Sequence, residues 1–492
     1  MNETKPLLSD RTANTITTNN SNNKMNDFSF TTTRSSSTIS STLRWTTNAM
    51  SLVSVLLFSG LILGWAPLEL MLTREGQYNE YCVSDEETKL CPEQSIRLQR
   101  IFTVAQFLMN FASLPIGYLV DYIPSKGLYF AMTAVVQVTG LLIFAASDSL
   151  TFDYFTVGYG LMAVGGSMAL VGSFPASFLL PEYQLGLLAM ISCLFDASSA
   201  VLFVFHRLNV SNSELYTRRM LFASLGCIGI VVYGLLATCW TLLELKHWKD
   251  VIAIEELETE KKKNNNNNNT LLPTTENCDN NNDRQKDHPH IIGLPIWEQL
   301  QTSEFMLVAI FSSIHILRCN YYVMTIDDFL YYFLGDSDGY YADVFSYVLP
   351  SGILFFPLIE QTLVRVGITR SLHITNILGV VFGILVLIPS LKLQVFTFFV
   401  FTGFNAFLNS TVNTFIAVYF GVETTGRIVG CAYTACAFVS LLQYPAAMYS
   451  SSGGWFRVNA VFLAICIIPI LRVRFYHNSK QQKSSSKKLT LA

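Results

Sequence analysis

The chain has 492 residues, 51% hydrophobic and 13% aromatic, with only 14% charged and a formal net charge of −3. Soluble domains carry about 25% charged residues, so an ordinary soluble fold is excluded and a membrane protein is indicated. Apolar runs of about 20 residues, each long enough to cross the hydrocarbon core as a helix, recur about twelve times.

In chain order, residues 1–44 are rich in Ser, Thr and Asn and are predicted to be a disordered cytoplasmic tail, with no cleavable signal peptide ahead of the spans. Within it ETKPLL, Glu3 to Leu8, resembles an acidic dileucine signal, in which Leu7 and Leu8 would be read by a sorting adaptor. Residues 45–243 hold six predicted spans, at 46–72, 98–122, 127–147, 152–178, 184–206 and 219–243. Residues 244–302 form a charged, then asparagine-rich, cytoplasmic linker. Residues 303–476 hold six more spans, at 304–334, 341–363, 370–391, 395–420, 427–450 and 456–475, and 477–492 form a cytoplasmic tail. Lys and Arg cluster at the ends that an even number of spans puts on one side, including Arg44, Lys126, Lys246, Arg365 and Arg370. Both termini are therefore expected in the cytoplasm.

The loop after the first span is acidic and holds Cys82 and Cys91, which form either an external disulfide or two free thiols. Asn209 opens an NVS sequon in a loop expected outside, a candidate for glycosylation. Inside the spans the informative residues are polar. Ser192, Asp196 and Ser199 are spaced for one face of the fifth span, with Asp196 about 15 Å deep. A carboxylate there costs about 2.5–3.5 kcal/mol unless it faces a cavity or a partner. Arg318, in HILRCNYYVMTIDD of the seventh span, is one candidate partner; otherwise Arg318 reaches for the interface and Asp196 caps a neighbouring helix. Asn405, Asn409 and Asn413 step by four along the tenth span, Gln106, Asn110 and Ser113 form a stripe on the second, and Tyr433, Ser440 and Tyr444 one on the eleventh beside Gln443. Such stripes either staple helices or line a shared polar cavity. Asn320, Tyr321 and Tyr322 complete the candidate substrate wall.

GYLVDYIPSKG, Gly117 to Gly127, and PLIEQTLVRVG, Pro357 to Gly367, sit at matching places in the two sets of six spans. The first resembles the signature of the major facilitator superfamily, and the expected fold is all-α with about twelve transmembrane helices in two six-helix halves. The resemblance implies gating roles for Asp121 and Lys126, and for Glu360 and Arg365, at the cytoplasmic helix ends. GWAPLELML, FDASSAVLF, RCNYYVMTIDD and FNAFLNSTVNTFIAVYFGVETTGRIVG further resemble solute carrier family 43, which holds facilitative large neutral amino acid transporters and a purine nucleobase carrier. Asp327 and Asp328 depart from that family, where amides are expected.

The resemblance implies facilitated diffusion of large neutral amino acids by alternating access, with Asp196, Ser199, Arg318 and the amides holding the zwitterion. The alternatives are a nucleobase or other small organic solute, with or without proton coupling, and a non-transporting nutrient sensor. An enzyme is not expected: His315 is isolated, and His288 and His290 lie in the linker. The absence of GxxxxGK argues against an ATP-driven pump. No cofactor, metal or nucleic-acid partner is expected. The expected partners are a small solute and the lipid bilayer, at the plasma membrane or an endosomal or lysosomal membrane.

Overall fold

The computed structural model describes residues 41–82, 92–265, 291, 294–421 and 424–469. Among them nearly everything is helical, and the only β-pairing is an isolated bridge between Asp148 and Phe152. Ten segments cross once: α1 (Ser41–Arg74), α2 (Glu93–Tyr122), α3 (Lys126–Ala146), α4 (Phe155–Ser177), α5 (Pro181–Ser211), α6 (Arg218–Lys246), α7 (Ser303–Phe333), α8 (Tyr340–Val366), α9 (Ile368–Val386) and α10 (Leu391–Phe420). Thr425–Pro469 is 45 residues long, about 68 Å as one helix and twice a hydrocarbon core. It turns back at Gly453, whose φ of 95° suits only glycine. Ser450 and Phe462, more than three helical turns apart in sequence, accordingly both touch Tyr321. The two arms are α11 (Thr425–Ser440, continued by Gln443–Tyr449) and α12 (Trp455–Ile465).

With that turn the eleven long apolar segments among the described residues become twelve arms, the number that the hydropathy predicts. Two boundaries differ. The first helix starts at Ser41, inside the predicted tail, and the α6 helix runs on to Asn265, through the predicted start of the linker at 244. Neither Gly nor Pro interrupts 244–265, so nothing in the backbone stops the helix there. The end of the bundle that carries this extension is called the linker side, and the other end the far side.

Several spans are broken where backbones approach. In α1 a π turn (Val55–Ser59) and a 3-10 turn (Leu61–Gly64) flank Gly60. A Cβ on Gly60 would lie 1.8 Å from the Phe195 carbonyl oxygen of α5, so only glycine permits this crossing. The break in α5 falls at Ser198, between helical pieces Gln184–Ala197 and Ser199–Ser211. Ser199 Oγ donates to the Asp196 carbonyl at the break.

Contacts between the first six and the last six spans run along α2 with α11, α5 with α8 and α10, and α1 with α7. The α2–α11 crossing is the closest. A Cβ on Gly117 would stand 2.1 Å from the Gly426 carbonyl oxygen, and one on Gly430 2.5 Å from that of Ser113.

Candidate functional site

A cavity of about 40 Å³ lies where α1, α2, α4, α5, α7, α10 and α11 converge, lined by Leu63, Gln106, Met109, Asn110, Ser113, Ser167, Leu170, Val171, Phe195, Ile316, Cys319, Asn320, Asn405, Asn409 and Tyr433. Space for about three waters is too little for an organic solute, so the bundle is occluded. Five primary amides face this space, and no Asp, Glu, Lys, Arg or His does. Three of the amides have unspent capacity: Gln106 Oε1, Asn110 Nδ2 and Asn320 Nδ2 are buried without a hydrogen-bond partner. Buried polar atoms are nearly always paired in folded proteins, and three orphans around one cavity mark where a polar ligand would recover that cost.

Six sequence-predicted residues meet here: Gln106, Asn110, Asn320, Asn405, Asn409 and Tyr433. Asp196 lies just behind the wall. Its Oδ1 accepts from Asn405 Nδ2 at 2.9 Å and Asn409 Nδ2 at 2.8 Å, while Oδ2 is buried without a partner. One turn away Asn413 Nδ2 donates to Ser192 Oγ at 3.1 Å, and Tyr433 Oη donates to Asn413 Oδ1 at 3.2 Å. The three-asparagine stripe of α10 is thereby stitched to α5, from the other set of six spans.

The remaining predicted wall residues are not on the cavity. The candidate Asp196–Arg318 pair is not formed: Arg318 donates to the Gly379 carbonyl at 3.0 Å and to Cys466 Sγ, and its guanidinium lies over the Phe382 ring. A buried cation needs acceptors and gains from a π face, and Gly379 and Phe382 of α9 with Cys466 just past α12 supply them. Tyr321 shares a hydrogen bond with Ser450, Tyr322 is wedged among Phe345, Phe382 and Phe401, and the Ser199 hydroxyl is spent on its own helix.

Both ends are shut. On the linker side Asp121 of α2 accepts from Arg427 Nε of α11 at 3.0 Å and from its backbone N–H at 3.3 Å. Lys126 turns its ammonium to the Val120 and Ile123 carbonyls, and its backbone N–H donates to Glu244 at 2.6 Å. Glu360 of α8 lies over Gly186 of α5, where a Cβ would be 3.0 Å from Oε1. Arg365 is exposed. On the far side Asp328 of α7 accepts from Ser95 at 3.0 Å and Gln99 at 2.7 Å of α2, and His206 of α5 stands 3.8 Å from Asp343 of α8. Sequence reasoning missed Arg427; the signal was a basic residue in TTGRIVG, opening α11 opposite the Asp121 motif. It also missed Phe195, Cys319 and Ser167, which carry no periodic polar pattern.

Asn209 is a correction. It lies within the helix Ser199–Ser211, not in a loop, is 5% exposed, and donates its amide to the Tyr216 carbonyl at 3.0 Å. A buried, hydrogen-bonded amide is not available for glycosylation. Asn209→Gln is accordingly expected to leave electrophoretic mobility unchanged, as is glycosidase treatment; a downward shift on either would contradict this placement. Cys82 is disulfide-bonded, and Cys91, its expected partner, lies outside the described residues, as do Leu7 and Leu8. Among the described residues no group of three His, Cys, Asp or Glu is placed to hold a metal ion.

The chain is similar over its length to Protein FMP42 of Saccharomyces cerevisiae, at 24% identity over 89% of this chain and 95% of that protein. It is similar to Equilibrative nucleobase transporter 1 of Bos taurus at 22% identity, over 88% and 95%. Similarity to Large neutral amino acids transporter small subunit 3 of Mus musculus reaches 32% identity but spans 22% of this chain and 19% of that protein. In fold it is similar to the human organic anion transporter MFSD10, with a TM-score of 0.57 and 12% identity, over 87% of this chain and 99% of that one. Residues 49–444 match the Major Facilitator Superfamily, and the chain belongs to that family.

Proposed function

We propose that this transporter carries an uncharged, planar, hydrogen-bonding organic solute of the nucleobase class by alternating access, with its linker side in the cytoplasm. The carrying observation is the cavity wall: five amides, three with unspent donors or acceptors, and no charged side chain. A primary amide offers both donors and an acceptor, which suits the mixed edge of a nucleobase, and Phe195 and Tyr433 add aromatic surface. A zwitterion entering the same space would bury a carboxylate with no cation on the cavity wall to meet it, at a cost of several kcal/mol. The full-length similarity to a nucleobase transporter supports the reading. In it the two sets of six spans act as halves that rock about the cavity, and the Asp121–Arg427 pair and Glu360 close the cytoplasmic side.

Large neutral amino acids are the second reading, favoured by the short, higher-identity match to a transporter of that class and by the free Asp196 Oδ2, which could meet an ammonium group. Uptake of labelled adenine into membrane vesicles from cells expressing the chain separates the two. Saturable uptake, competed by hypoxanthine and untouched by excess leucine, is expected. Competition by leucine, or labelled leucine uptake where adenine has none, would transfer the assignment to amino acids.

A further inference from the structure

The far-side gate is built around acids. Glu69 of α1 and Asp328 of α7 are 3% and 5% exposed, and both carboxylate oxygens of the adjacent Asp327 are buried with no hydrogen-bond partner. Glu69 lies within electrostatic reach of both aspartates. Among the described residues, the groups that donate to this set across the gate are neutral, Ser95 and Gln99 of α2.

Among the described residues no cation pairs with the group. Asp327 meets only further acids, Asp343 of α8 and Asp336 of the α7–α8 loop, and Asp336 is already spent on the backbone N–H groups of Tyr341 and Ala342. The nearby basic residues are bound to other groups or, like Arg74 and Arg100, exposed at the surface. From α2, Arg97 lies over the Tyr81 ring and Arg100 faces Tyr78. From α6, Arg218 binds Glu75 and the carbonyls of the α3 end. Arg74 at the end of α1 and Arg207 of α5 face His206, which itself stands beside Asp343. From α12, Arg457 donates to Tyr449. Three ionised carboxyls in a dry interface would repel by several kcal/mol on top of their desolvation. A metal ion is not the remedy, because the carboxyls do not converge on one point.

We propose that Glu69, Asp327 and Asp328 form a proton-binding site within the far-side gate, so that closing the gate takes up at least one proton from the medium on that side. Opening separates α1 and α2 from α7, wets the acids and returns the proton to the same medium. Acid on the far side therefore favours closure and alkali favours the far-side-open form. Where closure requires one proton, the closed fraction falls about tenfold per pH unit on the alkaline limb. The site lies outside the solute cavity, so it sets the pH dependence of cycling and not the choice of solute.

The inference rests on the alternating-access reading for its transport consequence, and two measurements keep the two apart. The first needs no substrate: the infrared carbonyl stretch of protonated carboxyl groups, recorded on the protein reconstituted in vesicles. The wild type is expected to show this band at neutral pH, and Asp327→Asn and Glu69→Gln to reduce it. A wild type without the band, or with one that both variants leave whole, overturns the proposal. The second is exchange of labelled against unlabelled adenine as far-side pH rises. The wild type is expected to slow by up to about tenfold per pH unit, whereas Asp327→Asn, a neutral mimic of the protonated acid, holds its rate. Equal pH profiles in wild type and both variants overturn it. No adenine exchange at all would count against the solute assignment, leaving the infrared result to decide the proton site.

Discussion

Gly117→Val is expected to abolish transport while the protein still reaches the membrane, because it wedges open the linker side. Gly117 sits at the closest crossing between the two sets of six spans, where even a methyl group would lie 2.1 Å from the Gly426 carbonyl oxygen. Both partners of the clash are backbone, so no side-chain movement relieves it. Overpacking of this kind costs about 3 kcal/mol or more, which shifts a two-state equilibrium about 150-fold. The cost falls only on conformations in which α2 and α11 touch, so helix packing within each set is spared. Hydrogen exchange should show the α2 and α11 ends at the linker side deprotected relative to wild type. Gly117→Val with wild-type transport would show that this crossing does not have to re-form in each cycle.

Asp196→Ala has the second largest expected effect. Its Oδ1 is the shared acceptor for Asn405 and Asn409, which also line the cavity. Removing it leaves two buried amide donors unmatched, at about 1–3 kcal/mol each. It also breaks the tie between α5 and α10. We expect a lower melting temperature and at least tenfold less transport per molecule at the membrane. Asp196→Asn keeps an oxygen acceptor for both amides and is expected to spare most of the stability, yet to reduce transport more than abundance. Equal transport per molecule in Asp196→Asn and wild type would make Asp196 a structural staple alone.

The fold was legible because a bilayer leaves few choices: apolar runs of the required length must be helices, and their number and the Asp121 motif pointed to the family. Hydropathy did not show the continuation of α6 to Asn265, since a charged helix leaving the membrane carries no apolar signal. Gln106, Asn110, Asn405 and Asn409 were legible from four-residue polar spacing, Tyr433 from the looser stripe on the eleventh span, and Asn320 only as a neighbour of Arg318. Arg318 was misplaced because spacing fixes a residue's height on its helix but not which neighbour its long side chain reaches. The Cys466 sulfur and the Phe382 ring that hold it are ordinary core residues in sequence. Asn209 failed for a similar reason: a sequon reads composition, whereas modification depends on burial. Asp327 and Asp328 stood out as departures from amides, with Asp327 a candidate proton carrier, and their proximity to Glu69 appears once α1 and α7 meet.

Counterflow in reconstituted vesicles shows whether the cavity amides hold a neutral solute. Vesicles preloaded with unlabelled adenine would receive a trace of labelled adenine, with wild type compared against Asn320→Leu, which removes an unpaired amide from the wall without adding charge. The account predicts transient overshoot in wild type, suppressed by external hypoxanthine but not leucine, and a KM raised about tenfold or more in Asn320→Leu, the worth of one lost hydrogen bond to a buried partner. Unchanged adenine kinetics in Asn320→Leu, or overshoot driven by leucine and not adenine, would contradict it.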